Sequence, residues 1–276
     1  MLMLRVALVD KTGQVDFSEL TAVAAAINVQ AQRDLSPIWG VSASVAALPS
    51  PRHIPVGVCP VFIVSNLPPG EGGVHLTKKS KQPYALVEIG DGWTVAASHE
   101  CMEMIVDPSG NRLHASNAIQ VQNGRISDGV GKFEYLVEVC DPSEDDPFGY
   151  TIDGVLVSDF YTPHYFDPVT SSGVRYSFTG AITRPRDVLK NGYLSWIDPA
   201  SEEVQQLKFF GPTPQILNLG PATGDCLREF VDAQSRTTAL LSKRPATEPK
   251  LAAAIARKKA LASAAEFRAA RYTVPK

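Results

Sequence analysis

The chain has 276 residues, 44% of them hydrophobic, and carries a net charge of −3 with a calculated pI of about 6.0. That length supports one large domain or two small ones with a substantial core. The mild acidity excludes the strongly basic surface of a nucleic-acid binder, so no nucleic acid is expected on the main domain.

Residues 4–10 form an apolar run closed by Asp10-Lys11-Thr12-Gly13, the pattern of a strand and a turn. Residues 17–33 carry apolar side chains at helical spacing, with Asp16 or Ser18 as the cap. Residues 41–48 alternate as a strand does, and Pro49, Pro51 and Pro55 then break the chain. Residues 61–64 read as a buried strand and residues 84–89 as a strand at a sheet edge. Residues 93–106 read as one buried helix. The order of strand, helix, three strands and helix predicts an α+β fold.

Beyond Pro108 the composition turns to Gly, Asn, Asp and Pro, with short strands expected at 134–139 and 151–160. The stretch to about Gly220 is expected to be loop-rich with small sheets. Residues 251–271, rich in Ala, Lys and Arg, favour a basic, weakly amphipathic helix. It is either peripheral or a docking helix for a protein partner. Three units follow: 1–110 bearing the metal-binding helix, 111–222 completing the site, and 223–276 as a helical basic tail.

Cys59, Cys101, Cys140 and Cys226 stand far apart with no Cys-x-x-Cys pair, which argues against a disulfide framework or a four-cysteine zinc module. No apolar run reaches the roughly 18 residues of a membrane helix. Arg5 and Asp10 interrupt the apolar start where a signal-peptide core would lie. The expectation is a soluble, cytoplasmic protein.

The chemistry concentrates in Ser98-His99-Glu100-Cys101-Met102-Glu103 and the following Asp107-Pro108. At about 100° per residue, Glu103 lies about 40° from His99, Asp107 about 80° and Glu100 about 100°. One imidazole and three carboxylates thus share an arc of an otherwise apolar helix. Burying such charges is costly unless they pair or bind a metal. His99 and Glu103 have the i, i+4 spacing of two zinc ligands, and Glu100 sits where a base can take a proton from a metal-bound water. Cys101 falls about 200° from His99 and belongs to the core.

A third ligand has to come from elsewhere. Glu138 is the first choice, at the end of an apolar strand, with Asp141 and Asp107 in reserve. Asp107 precedes Pro108 and so also suits a helix-ending turn. His114 and His164 read as surface or hydrogen-bonding residues, and Cys140 stays open. Tyr161 and Tyr165 either pack a loop or offer a hydroxyl to an oxyanion beside the metal.

The combination Ser98, His99, Glu100, Glu103, Asp107 and Pro108, followed by Glu138, Val139 and Asp141, resembles the plant phosphate-induced or exordium-like proteins and related bacterial secreted proteins. The resemblance spans roughly residues 60–165. It implies a zincin-like fold, a mixed sheet over two helices with the metal on the second. Cys140 stands where those proteins have a small residue, and residues 173–276 have no counterpart in the resemblance.

The leading expectation is a zinc-dependent metallopeptidase acting on a peptide or protein, with metal on His99, Glu103 and Glu138 and Glu100 as general base. The alternatives are a catalytically inactive metal-binding structural or interaction protein, and a metal-free network of buried hydrogen bonds.

Overall fold

The computed structural model describes residues 3–68, 72–78 and 82–241. It is an α+β fold with two five-stranded sheets. The first sheet contains β1 (Leu4–Asp10), β2 (Ala43–Leu48), β3 (Val58–Val64), β4 (Gly73–Thr77) and β5 (Pro83–Glu88) in the spatial order β2-β1-β3-β5-β4. β4 is antiparallel to β5, and the remaining pairings are parallel.

Side chains alternate between the faces of a strand, and this sorts the core. Val6, Leu8, Val61, Ile63, Ala85 and Val87 share one cluster with Leu20, Val23 and Ile27 of α1 (Phe17–Val29). Ala7, Val9 and Val58 form a smaller cluster with Ile54 and Phe62 on the opposite face. α1 runs on through a π-helical segment, Gln30–Leu35, into the short α2 (Ser36–Trp39), which ends at Gly40 with φ +63°. The long helix α3 (Trp93–Val106) adds Ala97, Cys101, Met102 and Ile105 to the larger cluster.

The edge strand expected at 84–89 is internal: β5 lies between β3 and β4, and β4 is the edge. β4 has only five residues between a glycine pair and lysine-rich sequence, too few for a period-two pattern to stand out.

The loop-rich second half also needs correction, because it holds an antiparallel sheet. β6 (Leu113–Gln122) and β7 (Arg125–Leu136) form a long hairpin, and β8 (Tyr150–Ile152) and β9 (Val155–Val157) a short one. β10 (Tyr193–Asp198), β11 (Glu203–Lys208) and β12 (Gln215–Pro221) complete the order β12-β11-β10-β7-β6. The two hairpin turns are Asn123-Gly124, at φ +52° and +72°, and Asp153-Gly154, at +49° and +84°. Two successive positive φ values match the right-handed strand twist, and Asn-Gly and Asp-Gly reach them at least cost.

The strand expected at 134–139 stops at Leu136. Residues 137–140 leave the sheet, with Glu138 N–H turned back to the Leu136 carbonyl at 3.1 Å. α4 (Leu227–Leu241) starts inside the expected tail, yet Leu227, Phe230 and Val231 are buried with Leu136 and Val204. The basic helix expected at 251–271 lies outside the described residues. All four cysteines are free. Among the described residues, no helix is long and apolar enough to cross a membrane.

Candidate metal centre

α3 starts after Gly92, whose φ of +82° only glycine adopts easily, and is buried along nearly all its length. His99, Glu100 and Glu103 are 7%, 2% and 0% exposed. Ser98 fixes their rotation. Its hydroxyl donates to Gln30 Oε1 at 2.7 Å and accepts from Ser158 N–H at 3.0 Å, while Gln30 Nε2 donates to the Ser158 carbonyl at 2.8 Å. This closed polar triangle ties α3 to the end of α1 one residue before the first candidate ligand.

His99 Nε2 lies 3.2 Å from Glu103 Oε2 and 3.2 Å from Asp141 Oδ1. Two donors on a tetrahedral zinc at about 2.0–2.1 Å are about 3.4 Å apart, so both separations suit a shared ion. The other Glu103 oxygen accepts from Cys140 N–H at 3.1 Å, which orients the carboxylate. Glu144 supplements the pair: donor atoms of His99, Asp141 and Glu144 lie within 4.8 Å of one another.

The expected third ligand, Glu138, is in the same buried cluster but turned to a different partner. Its Oε2 accepts a hydrogen bond from Arg228 Nη1, which also lies 2.6 Å from Glu103 Oε2. His75, projecting from β4, faces the same group. Its Nδ1 is 3.3 Å from Glu100 Oε2 and 3.6 Å from Glu103 Oε2, and its Nε2 is 3.8 Å from Glu138 Oε2. Asp141 is therefore the reserve that stands against His99.

Asp107 is removed from the ligand set. It caps α3, taking Ser109 N–H and hydroxyl on Oδ1 and Arg112 N–H on Oδ2. These bonds satisfy the chain end that the following proline forces out of the helix. Tyr165 is likewise removed, because its hydroxyl donates to the Asp187 carbonyl at 2.9 Å. Tyr161 stacks on Tyr165 at 4.2 Å between centroids, and its buried hydroxyl has no hydrogen-bond partner. Cys101 is fully buried as expected, and the Cys140 thiol contacts the His99 carbonyl at 3.8 Å. His114 stacks on Phe166, and His164 pairs with Asp167.

Four carboxylates, Glu100, Glu103, Glu138 and Asp141, thus meet one guanidinium and two imidazoles in a buried cluster. Burial would strip the proton from His99, but the Glu103 charge and the Asp141 and Glu103 contacts outweigh it and hold the ring well above the usual range. Burial, with the Arg228 charge behind it, pushes His75 well below. Burial tends to protonate Glu103 too, yet His99 and Arg228 hold it well below the usual carboxylate range. The surplus negative charge falls on the others. Burial lifts Glu100 to about 8 and Asp141 to about 7, the neighbouring Glu103 adding to both. Burial lifts Glu138 well above its ordinary value against the pull of Arg228.

These residues fit a divalent cation. The donors are one imidazole nitrogen and carboxylate oxygens, a set that suits zinc and also harder first-row ions. Glu138 Oε1 is buried without a hydrogen-bond partner. The group borders a cleft of about 360 Å³ lined by Gly73, His99, Glu100, Glu144, Tyr193 and Arg228, among others.

His75, Glu144, Tyr193 and Arg228 are absent from the sequence-based site. His75 and Arg228 carry no local motif, and only the fold brings them to α3. Glu144 lies three residues past Asp141 in the same acidic turn, a spacing that could have marked it. Comparison of the chain with family models, curated proteins and solved structures returned no match.

Proposed function

We propose that the chain is a metal-dependent hydrolase of peptide bonds, a metallopeptidase of zincin-like arrangement, with zinc as the first choice of ion. The observation that carries this reading is the pair of 3.2 Å separations from His99 Nε2 to Glu103 and Asp141, with Glu100 next in sequence on the cleft wall. His99, Glu103 and Asp141 would hold the ion, with Glu138 and Glu144 beside them. A divalent ion held there supplies Lewis acidity to a carbonyl and to water.

Glu100 takes the proton of the attacking water at its carboxylate. Burial lifts its pKa to about 8 in the metal-free site, and the charge of a bound divalent ion would favour the ionised carboxylate that a base requires. Gly73 makes room for it: a Cβ at that position would lie 2.6 Å from Glu100 Oε1. The buried Tyr161 hydroxyl, which has no hydrogen-bond partner, could serve a polarised oxygen.

The substrate reading follows from β4. Glu88 N–H bonds to the Gly72 carbonyl and Lys78 N–H to the Gln82 carbonyl, so the even-numbered residues pair with β5. Gly73 and His75 therefore present their backbone groups away from the sheet, and an extended peptide can add a strand there. Thr77 N–H is already taken by Glu229 Oε1 at 2.8 Å, which ends that edge.

One observation favours the second reading, a metal-binding protein without catalysis: the Arg228 guanidinium fills part of the cluster and narrows the room for substrate. The two separate by experiment. Wild-type protein and Glu100→Gln are assayed on a broad peptide library, with zinc content and folding measured in parallel. The peptidase reading expects cleavage by wild type and a loss of two or more orders of magnitude, about the usual acid–base contribution, in a variant that keeps its metal. One zinc per chain without cleavage of any library member supports the second reading. No zinc in either protein removes both.

A further inference from the structure

The buried cluster separates into two cation positions that share Glu103. One is bounded by His99 Nε2, which lies 3.2 Å from Glu103 Oε2 and 3.2 Å from Asp141 Oδ1. The other is bounded by His75, Glu103 and Glu138, whose donor atoms lie within 4.8 Å of one another. Arg228 Nη1 sits among that second set: 2.6 Å from Glu103 Oε2, in hydrogen-bond contact with Glu138 Oε2, and 3.5 Å from His75 Nε2.

The chemistry of His75 defines what this set is. A guanidinium has only donors, so the ring nitrogen 3.5 Å from it is best matched as the lone-pair nitrogen of a neutral ring. The other nitrogen, Nδ1, then carries the hydrogen and donates toward Glu100 Oε2 at 3.3 Å. A neutral imidazole lone pair and two carboxylate oxygens aimed at one point are the donors of a divalent-metal site. Here they converge on a guanidinium nitrogen. Glu138, 4% exposed, keeps its other oxygen, Oε1, buried without a hydrogen-bond partner.

Arg228 is not a loosely placed side chain. Its own N–H donates to the Gly110 carbonyl at 3.0 Å, and the preceding Leu227 N–H to Asn111 Oδ1 at 2.7 Å, both just past the end of α3. Its Nε pairs with Asp232 at 3.4 Å, and Leu227, Phe230 and Val231 bury the same face of α4. The residue is 4% exposed.

We propose that Arg228 is a built-in cation occupying a second metal position, so that the centre holds one divalent ion and one guanidinium where the ligands present would otherwise hold two ions bridged by Glu103. This rests on the metal reading of the His99 position. In its place Arg228 supplies a fixed positive charge beside Glu100, its Nη2 lying 3.8 Å from Glu100 Oε2, where a two-metal hydrolase would have its second ion.

The test compares wild type, Arg228→Met and Arg228→Met with Glu138→Gln. Each is equilibrated with zinc, and separately with manganese, then desalted. Bound metal per chain is read by elemental analysis and the thermal midpoint with and without chelator. The expectation is one equivalent in wild type, two in Arg228→Met and one in the double variant. The midpoint of Arg228→Met should drop in chelator and recover with metal more strongly than that of wild type. A folded Arg228→Met with no more metal than wild type overturns the inference, as does failure of that variant to fold in metal-replete buffer. Wild type with no metal removes the His99 reading alone, and a gain of one equivalent in Arg228→Met would still uphold the second position.

Discussion

Glu103 is the residue on which the buried charges depend, and Glu103→Gln tests that directly. The substitution keeps the volume and leaves an amide oxygen for Cys140 N–H. It removes the charge that faces His99 at 3.2 Å and Arg228 at 2.6 Å. Breaking a buried pair costs about 3–5 kcal/mol, because the partner is left uncompensated. Arg228 retains Glu138 and His99 retains Asp141, so the lower end, about 3 kcal/mol, is expected. For a chain of this size that is a fall in thermal midpoint of roughly 6–12 °C. Glu100→Gln is the control. Burial already favours the neutral form of Glu100, so its replacement should cost about 1 kcal/mol or less. Differential scanning calorimetry in chelator gives both values, and elemental analysis gives zinc, which Glu103→Gln should lose and Glu100→Gln keep. Equal midpoints in the two variants, or stoichiometric zinc in Glu103→Gln, would refute the placement of Glu103 at the centre.

Gly73→Ala should displace Glu100, whose Oε1 and Cγ would lie 2.6 and 2.8 Å from the new Cβ; any hydrolysis should fall at least tenfold while zinc stays bound, and unchanged activity would contradict the contact. For pH, Asp141 and Glu100 have folded pKa values raised to about 7 and about 8, so the stability they contribute is full below their ordinary values and lost as pH rises through 7 and 8. His99, also raised, acts with the same sign. The thermal midpoint in chelator should therefore fall between pH 6.5 and pH 9, and a rise over that interval would reverse the sign of the argument. Truncation after Pro245 should leave zinc content unchanged and the midpoint nearly so, whereas truncation after Gly224 removes Arg228 and the buried face of α4 and should prevent stable folding; a stable, zinc-binding product of the shorter cut would show that α4 is dispensable.

The part of the site on α3 is legible because it is local. Trp93 to Val106 is apolar except where His99, Glu100 and Glu103 interrupt it, and a helical period places those three on one side. Asp141 was within reach because it ends a hydrophobic stretch at a Pro-containing turn. Arg228 was not: it meets Glu103 across 125 residues, from a helix whose sequence reads as an ordinary surface segment. His75 stands on a strand too short to show alternation, and strand pairing alone brings it to Glu100. The second half reads as loop-rich with small sheets and short strands, because its frequent glycines and asparagines act as breakers in most contexts. At Asn123-Gly124 and Asp153-Gly154 the same residues are hairpin turns, and that signal was present in the sequence.

A purely internal hydrogen-bond network is the strongest rival to the proposed metal, and the count of donors bears on the choice between them. Arg228 satisfies Glu103 and Glu138 on one oxygen each and reaches Asp232, and Cys140 N–H satisfies the other oxygen of Glu103. Among the described residues Glu138 Oε1 and the Tyr161 hydroxyl have no hydrogen-bond partner, while Asp141 Oδ1 has His99 Nε2 at 3.2 Å, a nitrogen it shares with Glu103. Each such buried polar group costs about 1–3 kcal/mol when left unmade. A network selected for stability alone would have closed these gaps or replaced the carboxylates with apolar side chains, a change that is often neutral or stabilising. Four buried carboxylates facing one permanent cation support the proposed ligand role. The proposed ion would supply the charge that one guanidinium does not, beside His99 and on a Glu103 oxygen that Arg228 also contacts at 2.6 Å.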